Sequence, residues 1–210
     1  MFKPSKKVNS KGFLLLYLLV IVIMLLLWVS RLQITQPETR DIPVALKTHL
    51  VSPARSIPQF LFNSKGKQVL TNQSFMQRWS FVYFTHPHCQ PECEAVLAVL
   101  NNLSQFFAAA DIQFLLINYY DQQSIYETEQ VKTALPLYTG DKQILDTVMK
   151  AFGFLFLRTQ FKQDYQVEQQ HDIFLVDPKG RVYARFKPPF TSFTIQQQFF
   201  ALRGFYARSE

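Results

Sequence analysis

The chain has 210 residues and a formal net charge of +7, from 22 basic and 15 acidic residues. Five of the bases (Lys3, Lys6, Lys7, Lys11 and Arg31) fall in the first 31 residues, which hold no acid, leaving 17 bases against 15 acids in the remaining 179. So balanced a body has no basic footprint for DNA or RNA, and six glycines with 48% hydrophobic residues exclude a disordered or collagen-like chain.

Residues 1–11 read as a cytoplasmic N-terminus and residues 12–30 as a transmembrane anchor. The anchor, GFLLLYLLVIVIMLLLWVS, carries neither charge nor proline. Its 19 residues make roughly 28 Å of helix, enough to cross a bilayer core. Four lysines precede it and one arginine follows, so the positive-inside rule places everything after it outside the cytoplasm. A cleaved signal peptide has a shorter apolar run of about 7–15 residues and a small-residue cleavage site, which is missing here. A buried soluble helix would show a polar stripe. Residues 31–56 follow as a tether. Pro37, Pro43 and Pro53 oppose a long helix there, and Pro58 lies just beyond.

Residues 57–210 form the expected globular domain. Two cysteines cannot build a multi-disulfide scaffold, so its core rests on ordinary burial, with 21 phenylalanines to supply it. Gln59–Asn63 and Lys67–Thr71 read as a hairpin about a glycine turn. Trp79–Thr85 (WSFVYFT) reads as a buried central strand, followed by a proline-bearing loop, His86–Glu92. The spacing of Val96, Leu97, Leu100, Leu103 and Phe107 predicts a helix over Glu92–Phe107. Ile112–Asn118 is a second buried strand and Ser124–Leu135 an amphipathic helix. Tyr138–Gly140 ends a short strand or turn. Asp141 caps a helix over Lys142–Phe152, which Gly153 closes. Asp172–Val176 and Val182–Phe186 pair around the turn Asp177-Pro178-Lys179-Gly180, and Thr194–Arg208 is the last helix. The order β-α-β-α-α-β-β-α predicts a thioredoxin-like α/β fold, a central sheet with helices on both faces.

Both cysteines fall where the first central strand turns into the first long helix of the domain, in Thr85-His86-Pro87-His88-Cys89-Gln90-Pro91-Glu92-Cys93. A thiol at a helix N-terminus meets the positive end of the helix dipole, which favours the thiolate. Thiolate both attacks disulfides and binds soft metals. An i,i+4 pair on a helix has Cα atoms about 6 Å apart, inside the disulfide range, and the same spacing can present two sulfurs to one ion. A purely structural disulfide fits the spacing too. Structural zinc does not, since a closed site needs four ligands.

The anchor, the tether, WSFVYFTHPHCQPEC, TGDKQILDTVMKAFGF and HDIFLVDPKGRV, in that order, resemble the Sco/SenC family over about residues 57–206. The resemblance implies a membrane-anchored thioredoxin-like protein that binds copper and assists assembly of the CuA site of cytochrome c oxidase. It implies that the CuA-bearing oxidase subunit is the partner. The family's ligands are the two cysteines of a CxxxC motif and one histidine shortly before a DPxG hairpin. Cys89 and Cys93 match the cysteine positions, and thiolates with an imidazole suit copper. The family's CPxxCP is replaced by Cys89-Gln90-Pro91-Glu92-Cys93-Glu94, and its histidine position, eight residues before Asp177, holds Gln169. The nearest histidine is His171, displaced about 6.6 Å along an extended chain. Tyr119-Tyr120-Asp121-Gln122-Gln123 stands where the family has an acidic, arginine-bearing stretch.

The expected metal ligands are therefore Cys89, Cys93 and His171, with His88 or His86 as a substitute nitrogen donor beside Cys89. The phenylalanine and tyrosine runs at 152–161 and 190–206 read as packing. No nucleotide, metalloprotease or serine-hydrolase motif is present. The leading expectation is a copper-binding accessory protein without turnover. The alternative is a membrane-tethered thiol–disulfide oxidoreductase acting on partner cysteines. A copy that keeps only the fold and acts through protein contacts is a third reading.

Overall fold

The computed structural model describes residues 10–34, 42–64, 66–87, 91–108, 111–119, 133–160 and 165–209. The chain divides into two compact units, residues 1–42 and residues 43–210.

The described residues of the first unit form a helix, α1 (Ser10–Ile34). Apolar side chains from Leu14 to Trp28 are exposed on every side of it, between 38% and 70% of their surface. Among the described residues no helix is long and apolar enough to cross a membrane, the unbroken stretch with described side chains running only from Leu14 to Trp28.

The second unit opens with α2 (Val44–Lys47) and then β1 (Leu50–Ser56), β2 (Leu61–Ser64) and β3 (Val69–Thr71). Next come β4 (Trp79–Thr85), α3 (Glu92–Phe106), β5 (Ile112–Asn118), β6 (Leu137–Thr139) and α4 (Lys142–Phe152). The chain ends with β7 (Phe156–Gln160), β8 (Tyr165–Gln169), β9 (Ile173–Val176), β10 (Arg181–Phe186) and α5 (Ser192–Ser209). Among these, eight strands form one sheet in the order β1-β10-β9-β4-β5-β6-β2-β3, and β7 pairs with β8 separately.

β4 is the strand on which the site depends. All seven of its residues are buried, because β5 runs parallel to it from Trp79↔Ile112 to Thr85↔Asn118 while β9 runs antiparallel on its other edge. Side chains alternate across the sheet. Val82 and Phe84 join Leu115, Ile117, Leu145, Val148, Met149 and Phe152 in the core beneath α4. Phe81 points the opposite way and stacks on Phe114 at 4.8 Å, with Phe107 and Phe199 of the α3 and α5 side at 6.1 and 5.2 Å. Tyr83 shares the Phe81 face, the face α3 covers. Helices thus lie on both sides of the sheet, as the sequence predicts.

α4 starts and stops for local reasons. The Asp141 carboxylate accepts from the backbone N–H groups of Gln143 and Ile144 at 2.9 and 3.3 Å, and Gly153 ends the helix in the left-handed conformation at φ 72°. At the β9–β10 turn, buried Asp177 accepts from the N–H groups of Lys179 and Arg181 at 3.1 and 2.8 Å and pairs with the Arg181 guanidinium.

Two segments differ from the expectation. Leu50–Ser56, read as tether, forms β1 at the sheet edge against β10. Its register against β10 is irregular between Leu50 and Arg55, the stretch that holds Pro53, and a sheet accepts proline at such an edge or bulge. Phe156–Gln160 and Tyr165–Gln169 form an antiparallel pair that the sequence does not announce; of the aromatic run at 152–161, Phe152 and Phe154 pack in the core, while Leu155, Phe156 and Leu157 are 41–64% exposed. The helix expected over Ser124–Leu135 falls largely outside the described residues, and its last three, Thr133–Leu135, are not helical.

Candidate functional site

Cys93 sits in the first turn of α3, which begins after Pro91. It is 3% exposed. Its sulfur is disulfide-bonded. Cys89, the other cysteine of the sequence, and His88 lie outside the described residues. Glu92 and Glu94 flank Cys93 in the same turn.

The alternation of β4 aims the Tyr83 side chain at that turn. Its phenol oxygen lies 3.1 Å from Cys93 Sγ and 2.9 Å from His171 Nδ1. Sulfur and imidazole nitrogen are therefore no more than about 6 Å apart, the sum of those two contacts. His171 reaches the site from the short link between β8 and β9, its ring lying over that of Tyr83 with centroids 6.4 Å apart.

Gln169, the last residue of β8, completes the group. Its amide nitrogen donates to the Phe84 carbonyl at 3.0 Å and to the Tyr83 oxygen at 3.2 Å, and lies 3.8 Å from Cys93 Sγ. Its amide oxygen accepts from the Tyr119 hydroxyl at 2.8 Å. The side chain at the position of the family's histidine is thus in the site, but hydrogen-bonded on all of these fronts. His171, two residues on, occupies the other side of the same phenol. The 6.6 Å displacement along the chain does not exclude His171 from the site, because it lies past the end of β8, where the chain turns toward β9.

Burial sets the electrostatics. It pushes the Tyr83 phenol well above its ordinary value, against the Gln169 hydrogen bond, with the Glu92 charge adding to the rise. It lowers His171 below the usual histidine value, against the pull of Glu92 and Asp172, and so favours the neutral imidazole that binds metals. Asp172 is raised by burial, opposed by Arg185, Lys187 and His171.

His86, weighed as a substitute donor, is 2% exposed at the end of β4, its ring 5.4 Å from that of Tyr119. With Phe156, Lys142 and Arg158 these two residues line a cavity of about 250 Å3. Among the described residues no group of three His, Cys, Asp or Glu is placed to hold a metal ion. Cys93 and His171 both contact Tyr83, and a thiolate and an imidazole are donor types that suit copper.

Sequence reasoning missed Tyr83 and Tyr119 as site residues. The available signal was a phenol in a buried, mostly apolar run, six residues before Cys89, since a buried phenol needs a partner.

A family model for SCO1/SenC matches residues 50–200. No curated protein sequence matches the chain. Among solved structures, copper-bound ScoI of Arabidopsis thaliana is similar with a TM-score of 0.57 and 15% identity, covering 70% of this chain and 96% of that one. Copper-bound Sco1 of yeast gives 0.56 and 16%, covering 70% and 87%. The thioredoxin domain of a thiol-disulfide oxidoreductase from Bacteroides vulgatus gives 0.51 and 14%, covering 69% and 96%. At these identities the likenesses establish a thioredoxin-like fold.

Proposed function

Since the chain belongs to the SCO1/SenC family, we propose that it is a copper-binding accessory protein holding its cargo through Cys89, Cys93 and His171. One observation carries this reading: a single buried phenol contacts both Cys93 Sγ and His171 Nδ1. A reduced Cys93 at the N-terminus of α3 gains from the helix dipole. A neutral His171 needs to lose no proton before it binds a metal. Thiolate sulfur selects Cu(I), and the imidazole allows Cu(II) as well. The client is the cytochrome c oxidase subunit that carries the CuA site.

Residues 12–30 anchor the protein as a single membrane-spanning helix. The support is the uncharged sequence from Gly12 to Ser30 and the exposure of apolar side chains all round its described part. Lys3, Lys6, Lys7 and Lys11 keep the N-terminus in the cytoplasm, so the domain works on the opposite side of the membrane. Protease added to sealed, right-side-out vesicles should then digest the domain. Protection of the domain would reverse this topology.

The copper reading is tested by loading the reduced full-length chain with Cu(I) under anaerobic conditions. Uptake near one ion per chain, abolished by Cys89→Ala, is expected. Binding that ignores the cysteines overturns it.

The disulfide at Cys93 favours a second reading, reduction of partner cysteines. A thiolate of the reduced pair would attack a partner disulfide to give a mixed disulfide. The second thiolate would displace it, leaving two partner thiols and the Cys89–Cys93 disulfide. A reduction potential as low as those of structural disulfides, below about −300 mV, would leave the oxidised form too stable to cycle and would remove this reading.

A further inference from the structure

We propose that Tyr83 is the positioning residue of this site: its phenol oxygen accepts the Nδ1 proton of His171, which leaves Nε2 as the nitrogen offered to a metal. The consequence for metal rests on the copper reading above. The placement of the proton does not.

Proton allocation follows from groups that can act in only one way. The Phe84 carbonyl can only accept, so the Gln169 atom 3.0 Å from it is the NH2 group. That fixes the amide, and its oxygen takes the Tyr119 hydroxyl proton. The same NH2 group directs its other proton to the Tyr83 oxygen at 3.2 Å, closer than Cys93 Sγ at 3.8 Å, using one of that oxygen's two lone pairs. Cys93 Sγ, disulfide-bonded, has no proton to give, so its 3.1 Å contact is a hydrogen bond only if the phenol donates. One lone pair of the Tyr83 oxygen is then left for the 2.9 Å contact with His171 Nδ1, and that nitrogen must carry the proton. This is the one arrangement that makes all three contacts to the phenol hydrogen bonds. A thiolate at Cys93, a stronger acceptor than a disulfide sulfur, leaves it unchanged.

The hydrogen bond made by one imidazole nitrogen sets what the other can do. Here the orienting group is a phenol rather than the usual carboxylate or backbone carbonyl, and Gln169 and Cys93 Sγ direct it in turn. The arrangement gives Gln169 a role at the position where the family has a histidine. It binds no metal, but it holds the phenol that sets the neighbouring histidine.

The test is long-range 1H–15N correlation NMR on the metal-free full-length chain, labelled at histidine and held in detergent micelles at neutral pH. The His171 signals are identified by their loss in His171→Ala. The expected result is a protonated Nδ1 and a bare Nε2, shifting in Tyr83→Phe to a protonated Nε2 or an averaged mixture. In a competition titration Tyr83→Phe should lose about 10- to 100-fold in copper affinity. A protonated Nε2 in the unmodified chain overturns the proposal, as does an unchanged tautomer in Tyr83→Phe. The unmodified chain alone decides the tautomer if that variant fails to fold. A protonated Nδ1 in a chain that takes up no copper sinks the copper reading and leaves the proton assignment standing. Copper uptake with a protonated Nε2 sinks the assignment alone.

Discussion

Replacing Gln169 with methionine keeps the side chain's volume while deleting its amide. Three hydrogen bonds of 2.8–3.2 Å disappear, to Tyr119, Phe84 and Tyr83. At about 1 kcal/mol net for each, with more for the buried Phe84 carbonyl left without this donor and less where water reaches the half-buried site, the loss is about 2–4 kcal/mol. A domain of this size loses about 2–4 °C of Tm per kcal/mol, so melting should fall by about 5–15 °C. Urea unfolding of the full-length chain at fixed pH is the assay, with m required to stay constant. Gln169→Glu should be worse, since it keeps an acceptor for Tyr119 but turns a carboxylate oxygen toward the Phe84 carbonyl. A change below about 0.5 kcal/mol in Gln169→Met, the size of an ordinary surface substitution, would refute the network on which the site has been built.

Three further outcomes follow from the geometry. Asp177→Ala removes the buried carboxylate that accepts from the part-buried N–H groups of Lys179 and Arg181 and pairs with the Arg181 guanidinium, so it should cost about 2–4 kcal/mol in urea unfolding. A cost under 1 kcal/mol would mean the turn holds without it. Gly140→Ala sets a methyl group into the Phe62 ring and should destabilise by about 1–3 kcal/mol, and an unchanged unfolding midpoint would show that the ring moves aside freely. The raised phenol of Tyr83 gives alkaline sensitivity. Above the unfolded value of about 10 the unfolded chain releases this proton and the folded chain keeps it, so the folded state binds more protons and stability falls with rising pH. Between about pH 10 and 11 the unmodified chain should lose up to about 1.4 kcal/mol per unit more than Tyr83→Phe, whereas parallel stability curves would place the phenol in water.

Much of the fold was legible because local and global signals agree. WSFVYFT and IQFLLIN are apolar or β-branched apart from Ser80, Gln113 and Asn118, and both are largely buried parallel strands. Asp141 and Gly153 bracket α4 by backbone chemistry alone. β1 was hidden by Pro53 and by polar neighbours that an edge strand accepts, and β7–β8 by a mixed polar and apolar composition. At the site, the cysteines stood out because thiols are rare, and His171 because it is the histidine nearest the DPKG turn. The role of Gln169 was not legible. An amide has no spacing rule, and what it does depends on Tyr83, Phe84 and Tyr119, which come from β4 and the end of β5.

The central proposal is that this domain carries copper on the thiolates of Cys89 and Cys93 and the imidazole of His171. Anaerobic titration of the reduced full-length chain with Cu(I) against a competing chelator tests it most directly. About one ion per chain should bind, with uptake lost in Cys89→Ser and in Cys93→Ser and weakened in His171→Ala. Undiminished affinity in either cysteine variant, or no uptake by the unmodified chain, would contradict it.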